Sequence, residues 1–291
     1  MRLDLFLKKN YPTYSRTYFH YLIESGAVLV NGQGAKKRIL VSDEDDIEIC
    51  FLATPELKLI KEPIPLDILY EDDHLIAINK PANLVVHPAP GHPSGTLVNA
   101  LLYHCQSLSP DELRPGIVHR LDKDTTGVIV AAKTVKAHQE LVKLFSDRNI
   151  TKTYLAITQG TPKEGILSTL IGRHPTQRKL MTVVEQGGKE ATSQIEVLAK
   201  NGQYALVKLT PHTGRTHQLR VHLQHLGTPI LGDPIYGKGR SEATRPLLHA
   251  LNLSFIHPIT QTFLALNAPV PHDMRKYIAT LTQGSNYEGI C

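Results

Sequence analysis

Cysteine is scarce in this chain. Only Cys50, Cys105 and Cys291 occur in 291 residues, with no C-x-x-C pair. That usage argues against a disulfide framework and against a thiolate metal site. A reducing cytoplasm is the compartment that suits it. Long apolar runs are missing as well. The longest uncharged apolar runs, such as Gly127-Val128-Ile129-Val130-Ala131-Ala132, fall far short of the ~20 residues of a membrane-spanning helix. The opening MRLDLFLKKN carries charges at positions 2, 4, 8 and 9 and so lacks the apolar core of a signal peptide. No internal repeat, Walker-type glycine loop or dinucleotide fingerprint occurs. Nor is either charge in great excess. The 32 Lys and Arg against 27 Asp and Glu leave a net of +5, which permits an anionic partner without demanding one.

What is present is enough for a globular protein. Hydrophobic residues make up 41% and charged residues 20% of the chain, which argues against wholesale disorder. At ~150 residues per domain, the length suggests two domains or one domain with a small module. The charge is segregated. Residues 1–40 carry seven Lys and Arg against two acids, and residues 114–220 carry seventeen against eight. The intervening residues 41–113 carry three against thirteen. Two basic zones are the electrostatic footprint of a nucleic-acid partner.

The first basic zone reads as a very small α/β module over residues 1–51. Leu3, Phe6 and Leu7 lie at helical spacing, and Pro12 ends that helix. Ser15 is placed to cap a second helix, Arg16 to Glu24, which Gly26 stops. Val28-Leu29-Val30 reads as a strand, Asn31-Gly32 as a tight turn, and Ile47 to Phe51 as a second strand. Residues 52–65, with three prolines and no periodicity, read as a linker.

Residues 66–291 form the larger domain. Leu66–Tyr70 and Leu75–Asn79 read as a hairpin around Glu71-Asp72-Asp73. Thr96 is placed to cap a helix through Leu97 and Leu101. Val135–Phe145 is helical, with Ala137, Leu141, Leu144 and Phe145 on one face. Further strands are expected at Thr153–Thr158, Ser193–Leu198, Tyr204–Leu209, His249–Phe255 and Thr262–Leu266. A short helix carries Leu219, Leu223 and Leu226, and a last one Met274, Ile278 and Leu281. Hairpins with scattered helices make the fold class α+β, a largely antiparallel mixed sheet.

Three segments are crowded with polar chemistry: Arg114 to Gly127, Lys152 to Ala156, and Thr213 to His222. In the first, His119-Arg120-Leu121-Asp122-x-x-Thr125-x-Gly127 runs straight into an apolar strand. With Lys152-x-Tyr154-x-Ala156 and Thr213-Gly214-Arg215-Thr216-His217-Gln218-Leu219-Arg220, it resembles the RluA-type family of pseudouridine synthases. The resemblance covers about residues 66–282. Leu84-Val85-Val86-His87-Pro88, Arg114-Pro115-Gly116-Ile117-Val118 and Arg173-His174-Pro175-Thr176 look nearest to the members that act on large-subunit ribosomal RNA. The first module resembles the ribosomal S-four-type RNA-binding module through Arg2-Leu3-Asp4-x-x-Leu7, Ser15-Arg16, Gly26-x-Val28-x-Val30-Asn31-Gly32 and Asp45-Asp46-Ile47.

The resemblance implies a uridine isomerase that uses no cofactor and no metal. Asp122 would be the catalytic carboxylate, acting on the ribose as a nucleophile or by assisting proton removal. Arg220 would pair with it, since an adjacent guanidinium lowers an aspartate pKa and fixes its direction. Tyr154 would stack on the base, with the face it shares with Ala156 free for the cleft. Arg120 would stand in the gap left by the flipped uridine. Arg215 and His217, and in the module Arg16, Lys36, Lys37 and Arg38, would contact RNA. His119 would orient its loop by hydrogen bonds. Ribosomal RNA of the large subunit is the implied partner, with pre-ribosomal particles a further one, and the chain is expected to be a monomer away from membranes. Two other classes share part of the pattern: an inactive relative serving ribosome assembly, and a synthase acting on tRNA. A metal hydrolase is a third thought, but His217, His222 and His225 are spaced by five and three, poorly matched to a zinc helix.

Overall fold

The computed structural model describes residues 1–12, 14, 16–52, 59–88, 92–105, 108–109, 114–177, 180–239 and 241–282. The expected cap Ser15, positions 53–58 of the expected linker, and Cys291 lie outside the described residues. The chain divides into two compact units, Met1–Lys58 and Leu59–Cys291.

In the first unit, α1 (Leu3–Asn10) and α2 (Arg16–Glu24) precede a three-stranded antiparallel sheet of β1 (Val28–Val30), β2 (Gln33–Gly34) and β3 (Ile47–Ile49). Asn31 and Gly32 turn β1 into β2 with φ of 52° and 75°, the paired left-handed conformation that a two-residue hairpin needs. β3 stops two residues short of the expected Phe51. Leu3, Leu7, Phe19, Leu22 and Val28 form the core. Within that unit the Asp4 side chain is completely buried. Its carboxylate accepts from Arg2 Nε (3.0 Å) and Arg16 Nε (2.6 Å), and His20 Nε2 lies 2.9 Å away.

The second unit is built on a ten-stranded sheet. Its first elements are β4 (Ile68–Glu71), β5 (Leu75–Lys80), α3 (Leu97–His104), β6 (Thr126–Ala132) and α4 (Val135–Ser146). Then come β7 (Thr151–Gln159), β8 (Gly165–Arg173), β9 (Met181–Val183), β10 (Lys189–Lys200) and β11 (Tyr204–Pro211). It ends with α5 (Gln218–His225), β12 (Leu248–Ile256), β13 (Phe263–Asn267) and α6 (His272–Leu281). The strand order is β4-β5-β6-β12-β7-β11-β10-β8-β9, with β13 also paired to β12. Among the described residues every strand pairing in this sheet is antiparallel except β6 with β12. Ile60 and Glu62, in the stretch expected to link the domains, are tied to α3: Asn99 Nδ2 donates to Ile60 O at 2.7 Å and Glu62 N to Asn99 O at 3.1 Å.

The sheet is covered on both faces. Along β5 and β6, Leu75, Ala77, Val128 and Val130 pack toward Ala137 and Leu141 of α4. Ile76, Ile78, Ile129 and Ala131 pack toward Leu97 and Leu101 of α3. A strand buried on both faces reads as a continuous apolar run, which accounts for Gly127–Ala132. The same rule corrects the expectation for β7. Leu155 and Ile157 pack under α6, but Ala156 is also buried, under Leu219 and Leu223 of α5. On the second face Lys152 and Tyr154, both half-buried, reach the cleft. Strands β8 and β9 escape the sequence reading because β8 is mostly exposed or half-exposed and shows no apolar alternation.

The parallel contact of β6 and β12 depends on Gly127. Its φ is +110°, and a Cβ there would lie 2.1 Å from Ala250 O, so no side chain fits.

Burial opposes the charge on Asp4, but hydrogen bonds from His20, Arg16 and Arg2 outweigh it and hold its pKa at about 2, below an ordinary value of 3.8. A carboxylate depressed in this way stabilises the fold above its unfolded pKa and loses that contribution as the pH falls through its folded one. Because the partners are partly solvated, the contribution is about 1–2 kcal/mol. Asp4→Asn is expected to lower the melting temperature of the first unit at pH 7. Denaturation followed from pH 7 to pH 2 should show the difference from the parent chain shrinking toward zero.

Candidate active site

The three polar segments meet in one cleft of about 1020 Å³, lined by residues 118–122, 150–152, Tyr154 and 210–220. Asp122 sits on the loop that enters β6, Tyr154 on β7, and Arg220 in the first turn of α5. At the cleft wall Arg220 Nη1 donates to Asp122 Oδ2 at 3.0 Å. The rest of its guanidinium is held from behind: Nε donates to Asp233 Oδ2 at 2.7 Å and Nη2 to Asp233 Oδ1 at 2.9 Å. Its carbon Cζ lies 5.0 Å from the centre of the Tyr236 ring. The Arg220 side chain is only 6% exposed, that of Asp233 not at all, and that of Asp122 23%.

Burial alone would disfavour both charges in this pair. Burial works against the Arg220 cation, but Asp233 and Asp122 outweigh it and raise its pKa above the usual value. Burial likewise opposes the Asp233 carboxylate, which Arg220 and the N–H groups of Tyr236 and Ile235 hold below its ordinary pKa. A bidentate guanidinium–carboxylate fork of this kind fixes direction as well as charge.

The loop that aims Asp122 is held by two buried basic side chains. Lys80, fully buried, donates to the carbonyls of Pro81 (2.7 Å), Leu84 (3.0 Å) and Lys123 (2.8 Å). Burial lowers its pKa to about 7, against the opposing pull of Asp124 and Asp122. Arg245 donates to Asp124 O at 3.2 Å while its Nε and Nη2 grip Asp273 at 2.6 and 2.8 Å. His119 accepts the N–H of Val130 at Nε2 (2.9 Å) and stacks on Phe145. Burial, with Lys152 nearby, drops its pKa to about 3, so it acts as a neutral anchor of the loop.

The turn before α5 is organised by Gln218. Its Oε1 accepts from Thr213 Oγ1 (2.7 Å) and Arg215 N (3.0 Å), and its Nε2 donates to Thr192 O (3.0 Å) and Ser193 Oγ (2.9 Å). His217 caps this helix in the left-handed conformation, φ 57°. His222 is bound to Ser193 Oγ and Thr169 Oγ1 at 3.1 and 3.0 Å, and burial lowers its pKa to about 4. His222 is thus a neutral hydrogen-bonding group.

Of the residues singled out from sequence, Asp122, Tyr154, Arg220, Arg120, Arg215 and His217 all line the cleft. Tyr154 is closed in by hydrophobic neighbours. Burial and the Asp122 charge push its hydroxyl far above the usual value, so the ring is a neutral phenol. Arg215 is partly engaged, Nε donating to Glu190 O at 2.8 Å. Arg16, Lys36, Lys37 and Arg38 lie in the other unit. There Arg16 is bound to Asp4 and Lys37 to Glu24, whereas Lys36 and Arg38 are exposed. Asp233, Tyr236, Lys80 and Arg245 escaped the sequence reading. The run Gly232-Asp233-Pro234-Ile235-Tyr236-Gly237 reads only as a turn. Its one usable signal is a pair of glycines bracketing an acid: a Cβ at Gly232 would lie 2.1 Å from Arg245 O, and one at Gly237 2.3 Å from Asp233 O.

A family model described as RNA pseudouridylate synthase matches residues 74–225, the span that holds all three cleft segments. The chain belongs to this family. Its reaction is therefore the isomerisation of uridine in RNA to pseudouridine. An RNA pseudouridine synthase of Synechocystis sp. is 42% identical to it, over 97% of this chain and 90% of the relative. The ribosomal large subunit pseudouridine synthase D of Neisseria meningitidis serogroup B is 41% identical, over 96% of this chain and 78% of the relative. Among solved structures, human RNA pseudouridylate synthase domain containing 4 superposes with a TM-score of 0.56 at 30% identity, over 75% of this chain and 92% of that one.

The geometry predicts a cost for disturbing the rear carboxylate. Asp233→Asn preserves size but leaves the buried Arg220 half-compensated, which costs about 3 kcal/mol of stability. Turnover should fall roughly 10–100-fold through misdirection of Arg220. Thermal melting and single-turnover rates on RNA check both.

Proposed function

We propose that the substrate is uridine in large-subunit ribosomal RNA and that Asp122 is the catalytic carboxylate. The observation that carries the assignment is the Arg220–Asp122 contact in the cleft, backed by Asp233. The ribosomal substrate is supported by relatives named ribosomal large subunit pseudouridine synthase D. The reaction takes place in the cytoplasm, on ribosomal RNA or pre-ribosomal particles, and the chain acts as a monomer.

The steps follow from the groups at hand. The duplex or folded RNA releases one uridine into the cleft at a cost of a few kcal/mol. Arg120, exposed at the rim, stacks in the gap as a planar cation and contacts phosphate. The base lies against the neutral ring of Tyr154. Asp122, ionised and aimed by Arg220, acts on the ribose, as nucleophile at the anomeric carbon or as base toward the sugar, so that the bond to N1 breaks. The freed uracil turns in the closed site and rejoins through C5, whose proton is then lost. No external group is consumed. Around the one acid, Arg120, Arg148, Lys152 and Arg215 line the cleft and complement the phosphates on either side of the target. The first unit, with its exposed Lys36 and Arg38, adds a second RNA contact.

Asp122→Asn is nearly isosteric and is expected to lower turnover by at least ~10³-fold while RNA affinity and melting temperature stay close to the parent values. Substantial turnover in that variant would refute the assignment. Replacing Lys36 and Arg38 together by Glu in the full chain should weaken RNA binding and reduce the slope of log K against log salt by about 1–2. An unchanged slope would mean that these side chains meet no phosphate. Pseudouridine mapping in large-subunit ribosomal RNA, with and without the protein, tests the substrate.

A further inference from the structure

His217 lies beside the candidate carboxylate and has no part in the steps above. Its Nε2 is 3.9 Å from Asp122 Oδ2. Its Nδ1 is 2.8 Å from Tyr236 Oη, and the two rings meet edge to face at 77°. The hydroxyl of Tyr236 has a second neighbour, because it accepts the backbone N–H of Met181 at 3.0 Å. The described residues offer this buried hydroxyl no third partner.

A tyrosine hydroxyl has one proton to give and two sites to receive. With Met181 N–H received, the proton of Tyr236 must go to His217 Nδ1, or remain without an acceptor in a buried site at a cost of about 1–3 kcal/mol. Nδ1 is then the acceptor of a neutral imidazole, and the ring proton resides on Nε2. Burial favours the same neutral form, lowering the His217 pKa against the pull of Asp122. The N–H so created lies on the side of Asp122.

Both neighbours of the carboxylate fall on one oxygen. Arg220 Nη1 and His217 Nε2 each approach Oδ2, at 3.0 and 3.9 Å. No described residue hydrogen-bonds Oδ1. A gap of 3.9 Å is longer than a hydrogen bond, and bonds of this kind commonly tighten when substrate fills the site.

We propose that His217, fixed by Tyr236 with its proton on Nε2, is a positioning residue that becomes the second donor to Asp122 Oδ2 and so leaves Oδ1 as the oxygen that acts on the ribose. The proposal rests on Asp122 being the catalytic carboxylate. It assigns Tyr236 a purpose beyond packing against Arg220, namely choosing the tautomer.

Two measurements on the full chain test it. The first is long-range proton–nitrogen correlation on protein labelled at histidine, with the His217 signals assigned by their loss in His217→Gln. Protonated Nε2 and bare Nδ1 are expected at neutral pH, and Tyr236→Phe should mix the tautomers. A proton on Nδ1, or on both nitrogens, overturns the proposal whatever the substrate is. The second is a pair of substitutions assayed on a transcript of large-subunit ribosomal RNA. A glutamine amide reaches where Nε2 lies, whereas an asparagine amide reaches only Nδ1. Asparagine, however, tolerates the left-handed backbone better. His217→Gln should therefore retain turnover within roughly 10-fold, while the well-folded His217→Asn loses about 10²-fold in kcat with KM unchanged. Equal turnover in the two variants, or a loss confined to KM, overturns the proposal. An inactive Asp122→Asn beside a fully active His217→Asn would reject the role of His217 alone. An active Asp122→Asn would reject the carboxylate itself.

Discussion

The structure turns on one guanidinium shared between two carboxylates. Arg220 lies in α5, Asp233 in the turn that follows, and Asp122 on the loop into β6. A cation this deeply buried is tolerable only when its charge and its N–H groups are satisfied together. Asp233 meets two of the three donor nitrogens from the protein side, so the third is directed outward, at Asp122. The rear carboxylate thereby sets the direction of the front one. The close backbone approaches at Gly232 and Gly237 allow the turn to wrap tightly enough to bring Asp233 under the helix.

A second constraint concerns the loop that carries Asp122. Its carbonyls at Lys123 and Asp124 would be costly if left unpaired beside a packed sheet. Lys80 and Arg245 satisfy them from β5 and from the segment before β12. His119 adds a third tether, to β6. The carboxylate is therefore mounted on backbone fastened at several points, which suits a reaction that must hold a ribose and a detached base in register. The double-sided burial of β5, β6 and β7 supplies the stiffness beneath it.

The electrical character of the cleft follows from burial. His119, His217 and His222 all have lowered pKa values with burial as the main cause. Of these, His119 and His217 line the cleft as neutral donors and acceptors. Positive charge comes from arginine and lysine around the one acid. A polyanion is drawn to such a cleft, whose wall holds the Asp122 carboxylate.

Much of this was legible in the chain itself. The α+β class and most of the strands follow from hairpin signals and apolar runs, because period and turn chemistry are local properties. The motif around Asp122, with Tyr154 and Arg220, carried the family resemblance. Strands β8 and β9 left no such trace, being half-exposed. On the face of β7 shared by Tyr154 and Ala156, Tyr154 lines the cleft but Ala156 is covered by α5, which alternation alone cannot reveal. Nor could the chain disclose that Lys80, Arg245, Asp233 and Tyr236 support the site. Each is defined by a partner 13 to 121 residues away or by burial in a shared pocket. The scarcity of cysteine and of long apolar runs argues against disulfide staples and membrane-spanning helices, and the sequence by itself determined which residue types could carry the chemistry. Which of their atoms face one another was decided only by the fold, since that depends on hydrogen bonds closing across the sheet.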